Sequence, residues 1–295
     1  MKRYCLASLS KTLFFSLILA FIASACTVKT LYNQLDWLIA DHLESYVELN
    51  GEQQTTLYKH LDQTLLWHKS SQLPLYVTWL QAFKADVADK PTYKAIEQNI
   101  NQFQTFLRVL RSHAANQLSH LLLTLTASQR KELYASMEAK NTEFADKFIH
   151  ISREEQIEQY IDRMEDRFDE WLGSITQQQE ALIKASANNI KPIATEVLQT
   201  RRRWQVEFKA ILETHKTAAT GKQAMHDLFV NVERFRSEKY KKGSQHNQQV
   251  FIRLIVDVAK TMSKQQQQHF NNKVDNYSRH FTELAEEAGA KLASQ

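Results

Sequence analysis

Glycine and proline are scarce in this 295-residue chain, at five and three residues respectively. Sheet proteins and phosphate-binding enzymes depend on tight turns and close backbone approaches that glycine supplies, so the scarcity argues against both and for long helices with few connections. No stretch reads as a strand. The apolar segment from Leu13 to Ala23 is too short to cross a bilayer as a stable anchor, which takes about 20 residues. An excess of one charge sign is also missing. Thirty-seven Lys and Arg face 33 Asp and Glu, a formal net charge of +4. Lys2, Arg3 and Lys11 account for three of those charges, so the chain from Cys26 onward carries +1 with both signs interspersed. Such a surface offers no electrostatic case for binding nucleic acid.

What the first 26 residues do contain is an ordered signal. A basic start and the apolar run lead through Ala23-Ser24-Ala25 to Cys26, the order of a bacterial lipoprotein signal. In the signals it resembles, the cysteine thiol receives a diacylglycerol, the peptide before it is removed and the new amino terminus is acylated. An ordinary secretory signal, or an uncleaved anchor with a chance cysteine, is the alternative. The leucine favoured three residues before the cysteine is here Ala23, with Ile22 one step earlier. Thr27 follows the cysteine, and a residue other than aspartate there resembles outer-membrane sorting. On this reading Cys5 leaves with the signal and Cys26 is consumed by lipid. No thiol then remains for a disulfide or a thiolate metal site.

The rest of the chain is helical in pattern, and the fold expected is an all-α, elongated bundle of long antiparallel helices. Its parts are a signal at 1–25, a lipidated terminus and short tether at 26–30, and a helical domain at 31–295 with a possible subdivision near 173–192. Leu31, Leu35, Leu38, Ile39 and Tyr46 predict a first helix from Leu31 to Glu48. Leu57, Leu61, Leu65 and His68 mark a second, Pro74 opens the next, and Pro91 opens a long one reaching nearly to Leu125. Later stripes run through Leu133 to Phe148, Ile157 to Leu172, Thr176 to Lys216 with a break near Asn188 to Lys191 ahead of Pro192, Met225 to Phe235, Phe251 to Val258, and Phe270 to Leu284. Gly51, Gly173, Gly221 and Gly243 are expected at helix breaks.

Five copies of one local pattern punctuate these stripes: an apolar residue, a short polar one, and Gln or Glu three further on. The polar residues are Asn50, Thr126, Ser152, Thr176 and Ser263, with Gln53, Gln129, Glu155, Gln179 and Gln266 behind them. This is the capping box, in which two orphan donors at a helix start are satisfied reciprocally. In four copies an apolar residue follows seven positions after the cap, namely Leu57, Leu133, Ile183 and Phe270; the Ser152 copy has Gln159 there.

Two resemblances follow from these residues. Leu125 to Gln129 resembles the Leu-Thr-x-x-Gln motif of the Spy and CpxP type periplasmic chaperones, helical proteins that cradle unfolding clients without ATP. Cys26, Tyr32 to Leu38, the Leu49 to Gln53 box, Leu66-Trp67-His68 and Leu73 to Tyr76 resemble an uncharacterised family of all-helical proteobacterial lipoproteins. The second resemblance implies an envelope lipoprotein and supplies no activity.

Residues that would carry chemistry are not arranged for it. The eleven histidines include no His-Glu-x-x-His and no Glu-x-x-His pair. His113 and His120 lie seven apart without carboxylate partners in register, so no metal and no cofactor is expected. Glu158, Asp162, Glu165, Asp166, Asp169 and Glu170, interleaved with Arg163 and Arg167, read as a solvated face with local ion pairs. Arg201-Arg202-Arg203 and Lys239 to Lys242 read the same way. There is no nucleophile elbow and no phosphate loop.

The function expected is therefore non-enzymatic: a lipoprotein anchored through Cys26 to the outer membrane, facing the periplasm, acting on an envelope protein partner as scaffold, adaptor or assembly accessory. No nucleic acid and no small-molecule substrate is expected. The alternative is a membrane-tethered chaperone of the Spy-like kind. Four residues between Cys26 and Leu31 reach at most roughly 18 Å, so the body must lie close to the leaflet.

Overall fold

A computed structural model describes residues 27–88, 91–214 and 219–294. The expected signal at 1–25 and Cys26 lie outside the described residues. In chain order the elements are α1 (Thr27–Tyr32), α2 (Leu35–Glu44), α3 (Gly51–Trp67), a π turn (His68–Gln72), α4 (Leu73–Ala88), α5 (Tyr93–Leu123) and α6 (Ala127–Phe148). There follow α7 (Arg153–Leu172), α8 (Gln177–Asn189), α9 (Ala194–Thr214), α10 (Ala219–Val230), a 3-10 turn (Val232–Phe235), α11 (Glu238–Lys260) and α12 (Lys264–Ala293). Among the described residues there is no strand, and the fold is an all-α bundle.

Helix starts are set by the caps. All five expected capping boxes close in both directions, at Asn50, Thr126, Ser152, Thr176 and Ser263. Thr92 and Ser237 cap α5 and α11 with the side-chain bond alone. Leu57, Leu133, Ile183 and Phe270 are all buried, and so are the residues one turn later, Leu61, Met137, Ala187 and Val274. Each cap thus fixes a helix in the register that turns these positions inward. Each large side chain so buried contributes about 1.5–3 kcal/mol.

Five expectations are corrected. The first helix does not run from Leu31 to Glu48: the chain is already helical at Thr27, the first described residue, breaks at Asn33 and Gln34, and resumes only to Glu44. Val47 and Leu49 are both buried, and two inward residues two apart suit an extended approach to the Asn50 cap, not a helix face. The 26–30 tether is replaced, from Thr27 on, by helix with Val28 buried. Pro74 opens no separate helix, because residues 51–88 run on without a break. The helix widens just before the proline: Leu73 N–H donates to His68 O, five residues back, while Ser70 Oγ donates to Leu66 O at 2.9 Å and Ser71 Oγ to Trp67 O at 2.6 Å. Gly243 lies inside α11, where a Cβ would stand 2.4 Å from Ile193 Cγ2, so it allows close approach and marks no break. Gly221 likewise lies inside α10.

Other expected breaks are found. Gly173 ends α7 with φ 81°, the left-handed cap glycine favours. At Pro192 the chain is extended, and its exposed backbone is matched by side chains. Arg153 donates to Ile190 O at 2.5 Å, and Asn247 bonds both polar groups of Lys191 at 2.8 and 2.9 Å.

Two large cores form, built alike, beside a small third cluster of Tyr32, Leu73 and Leu284. In the first, Leu57 and Leu61 of α3 meet Leu133 and Met137 of α6, with Phe208, Ile211 and Leu212 of α9 and Met225 and Leu228 of α10. In the second, Ile183 of α8 meets Phe270 and Val274 of α12, with Leu80 and Val87 of α4 and Ile252 to Val258 of α11. Each core is closed by two capping boxes whose glutamines bond each other. Gln53 Nε2 donates to Gln129 Oε1 at 3.1 Å and Gln129 Nε2 returns the bond at 2.7 Å. Gln179 and Gln266 repeat the arrangement at 3.2 and 2.8 Å.

The halves of the chain exchange helices. After its first paired box each half continues and crosses into the other core, from α3 into α4 and from α8 into α9. Helix α4 packs chiefly on α12, and α9 packs on α6. The crossing contacts correspond as well. Asn141, fifteen residues past the Thr126 cap, pairs with Gln205 at 2.8 Å; Ser278, fifteen past the Ser263 cap, accepts from Gln81 at 2.9 Å. A division near 173–192 therefore separates no core, because each draws on both halves.

Candidate functional site

The region that follows Cys26 is the best-defined candidate. The six described residues of α1 are docked on the body. Val28 enters the second core, Lys29 forms an ion pair with Glu287 of α12, and Tyr32 is buried with Leu73 and Leu284. The Tyr32 hydroxyl bonds His68 Nδ1 in the π turn, and His68 Nε2 bonds the Tyr76 hydroxyl at 3.3 Å. Lys69 Nζ stands 5.1 Å over the Tyr32 ring and donates to Asn33 Oδ1 at 3.4 Å.

The electrostatics make this trio neutral. Burial, with a smaller contribution from His113, pushes the His68 imidazole down to about 4. Burial raises both tyrosines, Tyr76 to about 12 and Tyr32 further. A neutral imidazole has one donor and one acceptor, and the two hydroxyls match them in either tautomer. Both ring nitrogens are occupied, so His68 fastens α1 to the π turn. On the other side of the turn Trp67 stacks on His113, centroids 3.7 Å apart and 2° from parallel.

Adjacent residues of a helix with 3.6 residues per turn point about 100° apart, so Trp67 reaches α5 while His68 reaches α1. His68 stood on the apolar stripe in the sequence, which was the available sign of its burial. Nothing in sequence spacing linked it to Tyr32, 36 residues away.

The remaining sequence candidates are dispersed. His113 lies against Trp67 and His120 is exposed, so the structure does not bring them together. Among the described residues no group of three or more His, Cys, Asp or Glu is placed to hold a metal ion. The acidic run does not form the expected local pairs: among the described residues no ion pair joins it to Arg163 or Arg167. Instead Glu170 bonds Lys273 of α12 at 3.0 Å, and Asp169 accepts from Ile175 N–H at 2.8 Å beyond the helix end. The basic runs are also engaged by the protein itself. Arg201 stacks over Phe144, Arg202 pairs with Glu138 at 2.9 Å, Arg203 donates to Phe235 O at 2.6 Å, and Lys239 pairs with Glu196. No described helix is long and apolar enough to cross a membrane. Cys26, the expected lipid attachment site, lies outside the described residues.

A family model described as a family of unknown function, DUF6279, matches residues 45–241. The matched stretch holds the π turn and the Gln53–Gln129 pair and ends inside α11. No curated protein and no solved structure matches the chain.

Proposed function

We propose that this chain, which belongs to the DUF6279 family of unknown function, is a non-enzymatic lipoprotein of the bacterial envelope. Lipid on Cys26 holds it to the outer membrane, and it works in the periplasm through protein contacts as a scaffold, adaptor or assembly accessory. One observation carries this reading: the first described residues after Cys26 are docked on the body, fastened within α1 by Val28, Lys29 and Tyr32. An acylated Cys26 would hold such a body directly against the leaflet, without the loose reach of a tether. A single acyl chain binds membranes marginally, whereas the expected three hold firmly. The test is a Cys26→Ser variant fractionated beside the wild type, with mass spectrometry of the processed amino terminus. Acyl mass on wild-type Cys26 and loss of the variant from the membrane support the reading; a bare thiol in the processed chain overturns it.

The chaperone alternative gains little from its motif. Leu125 is buried, while Thr126 and Gln129 are taken up in the capping box and the amide pair. The copy that resembles the chaperone motif thus serves architecture. Suppression of client aggregation without nucleotide, assayed at stoichiometric excess, decides that alternative separately.

A further inference from the structure

We propose that the face formed by the start of α2 and the end of α12 rests on the lipid bilayer, with the Trp37 indole at headgroup depth. This rests on the reading that Cys26 is the anchor, and it names the surface that the anchor brings to the membrane. Trp37 is 56% exposed, while the other four tryptophans are at least half covered. Trp67 and Trp171 stack on neighbouring rings, and the indole N–H groups of Trp79 and Trp204 donate to Asn99 O and Leu228 O. Among the described residues Trp37 alone of the tryptophans has neither a ring partner nor an indole bond. It is also the tryptophan closest in sequence to Cys26.

Leu292, 47% exposed at the end of α12, belongs to the same region. Lys69 bonds Asn33 just ahead of α2 at 3.4 Å, and Lys291, beside Leu292, pairs with Asp62, two turns before Lys69 on the same continuous helix, at 3.4 Å. Helix α12 packs on α1, the described element nearest in sequence to Cys26, so an anchor there would bring this face toward the leaflet. Single exposed apolar residues are ordinary. An unpartnered indole and a leucine beside an acyl anchor with no tether are not scattered, and an indole prefers the membrane–water boundary, where ring and N–H are both served.

The charges indicate what kind of contact this is. Lys29, Lys69 and Lys291 are balanced by Asp36, Asp62 and Glu287, with Lys29–Glu287 and Lys291–Asp62 paired. A balanced face gains little from anionic lipid, so the contact should be made by the indole and resist salt.

The experiment uses the full processed protein, extracted from membranes and placed in phospholipid vesicles with or without brominated acyl chains. Its tryptophan emission is compared with that of Trp37→Phe. The expected result is that at least half of the quenching seen in the wild type disappears in the variant, at both 50 mM and 500 mM salt. Equal quenching of the two proteins overturns the proposal. Trp37 is exposed, so Trp37→Phe keeps the fold, and an unchanged far-ultraviolet circular dichroism spectrum verifies this. Mass spectrometry of the same sample separates the two failures. An acylated Cys26 with no Trp37-dependent quenching removes this face and leaves the anchor. Should Cys26 be bare, the same comparison on protein added to vesicles decides the face by itself.

Discussion

Gln53 and Gln129 donate to each other's side-chain oxygens at 3.1 and 2.7 Å while each oxygen also accepts from the cap residue of its own helix. One amide thus starts a helix and joins it to another 76 residues away. Gln179 and Gln266 do the same in the second core, with Gln179 fully buried.

Removing one member of a pair should cost more than removing an unpaired box. Gln179→Ala is expected to lower stability by about 2–3 kcal/mol, since it deletes the return bond to the Thr176 N–H and leaves the Gln266 amide short of a buried partner. Glu155→Ala, in the exposed Ser152 box, removes only the return bond to the Ser152 N–H and is expected to cost about 1 kcal/mol or less. Urea unfolding of the two variants measures the difference.

Stability should depend on His68 at mildly acid pH. An unfolded histidine takes up its proton near 6.5, whereas folded His68 does so only near 4. Between those values the unfolded chain binds more protons, so the contribution is fully present above pH 6.5 and falls as pH drops to about 4. The span corresponds to a loss on the order of 3 kcal/mol. His68→Gln keeps a donor and an acceptor for the two tyrosines and does not titrate. Its unfolding free energy should therefore change less between pH 7 and pH 4 than that of the wild type.

Two helical glycines should respond to alanine with opposite signs. Gly289 has nothing within 4 Å of a built Cβ, so Gly289→Ala is expected to stabilise by about 0.5–1 kcal/mol through helix preference. Gly243→Ala places its methyl 2.4 Å from a stiff β-branched methyl of Ile193 and is expected to destabilise by about 1–3 kcal/mol. Ile193→Ala in the same chain should recover part of that loss, a coupling that thermal unfolding of the double variant reads out.

The exchange of helices predicts complementation. A processed chain cut in the 149–152 connection leaves α4 without α12 and α9 without α6. Each fragment alone should show weak helicity and broad unfolding, and the two mixed should recover the cooperative transition. Circular dichroism during titration of one fragment into the other tests this; full helicity in either fragment alone contradicts it.

Most of the local architecture was legible because it is local. Capping boxes span four residues and apolar stripes span a few turns, so Asn50, Thr126, Thr176 and Ser263 could be read together with Leu57, Leu133, Ile183 and Phe270. The break before Pro192 was legible for the same reason. Pro74 misled because a π turn reconciles a proline with a continuous helix, and only the neighbouring serines hint at it. Gly243 misled because a glycine needed for close approach looks like one needed for a turn. The bonds between Gln53 and Gln129 and between Tyr32 and His68 join residues whose separation carries no period. Only the assembled cores bring them together.

The borrowing of a helix by each core also orders events in time. Synthesis proceeds from the amino end, and the first core lacks Phe208, Ile211 and Leu212 until two thirds of the chain exists. The second lacks Phe270 and Val274 until the final helix is made. A growing chain of this kind stays open through most of its length, the condition in which a polypeptide can be threaded through a narrow channel, and closes only when its last segment arrives.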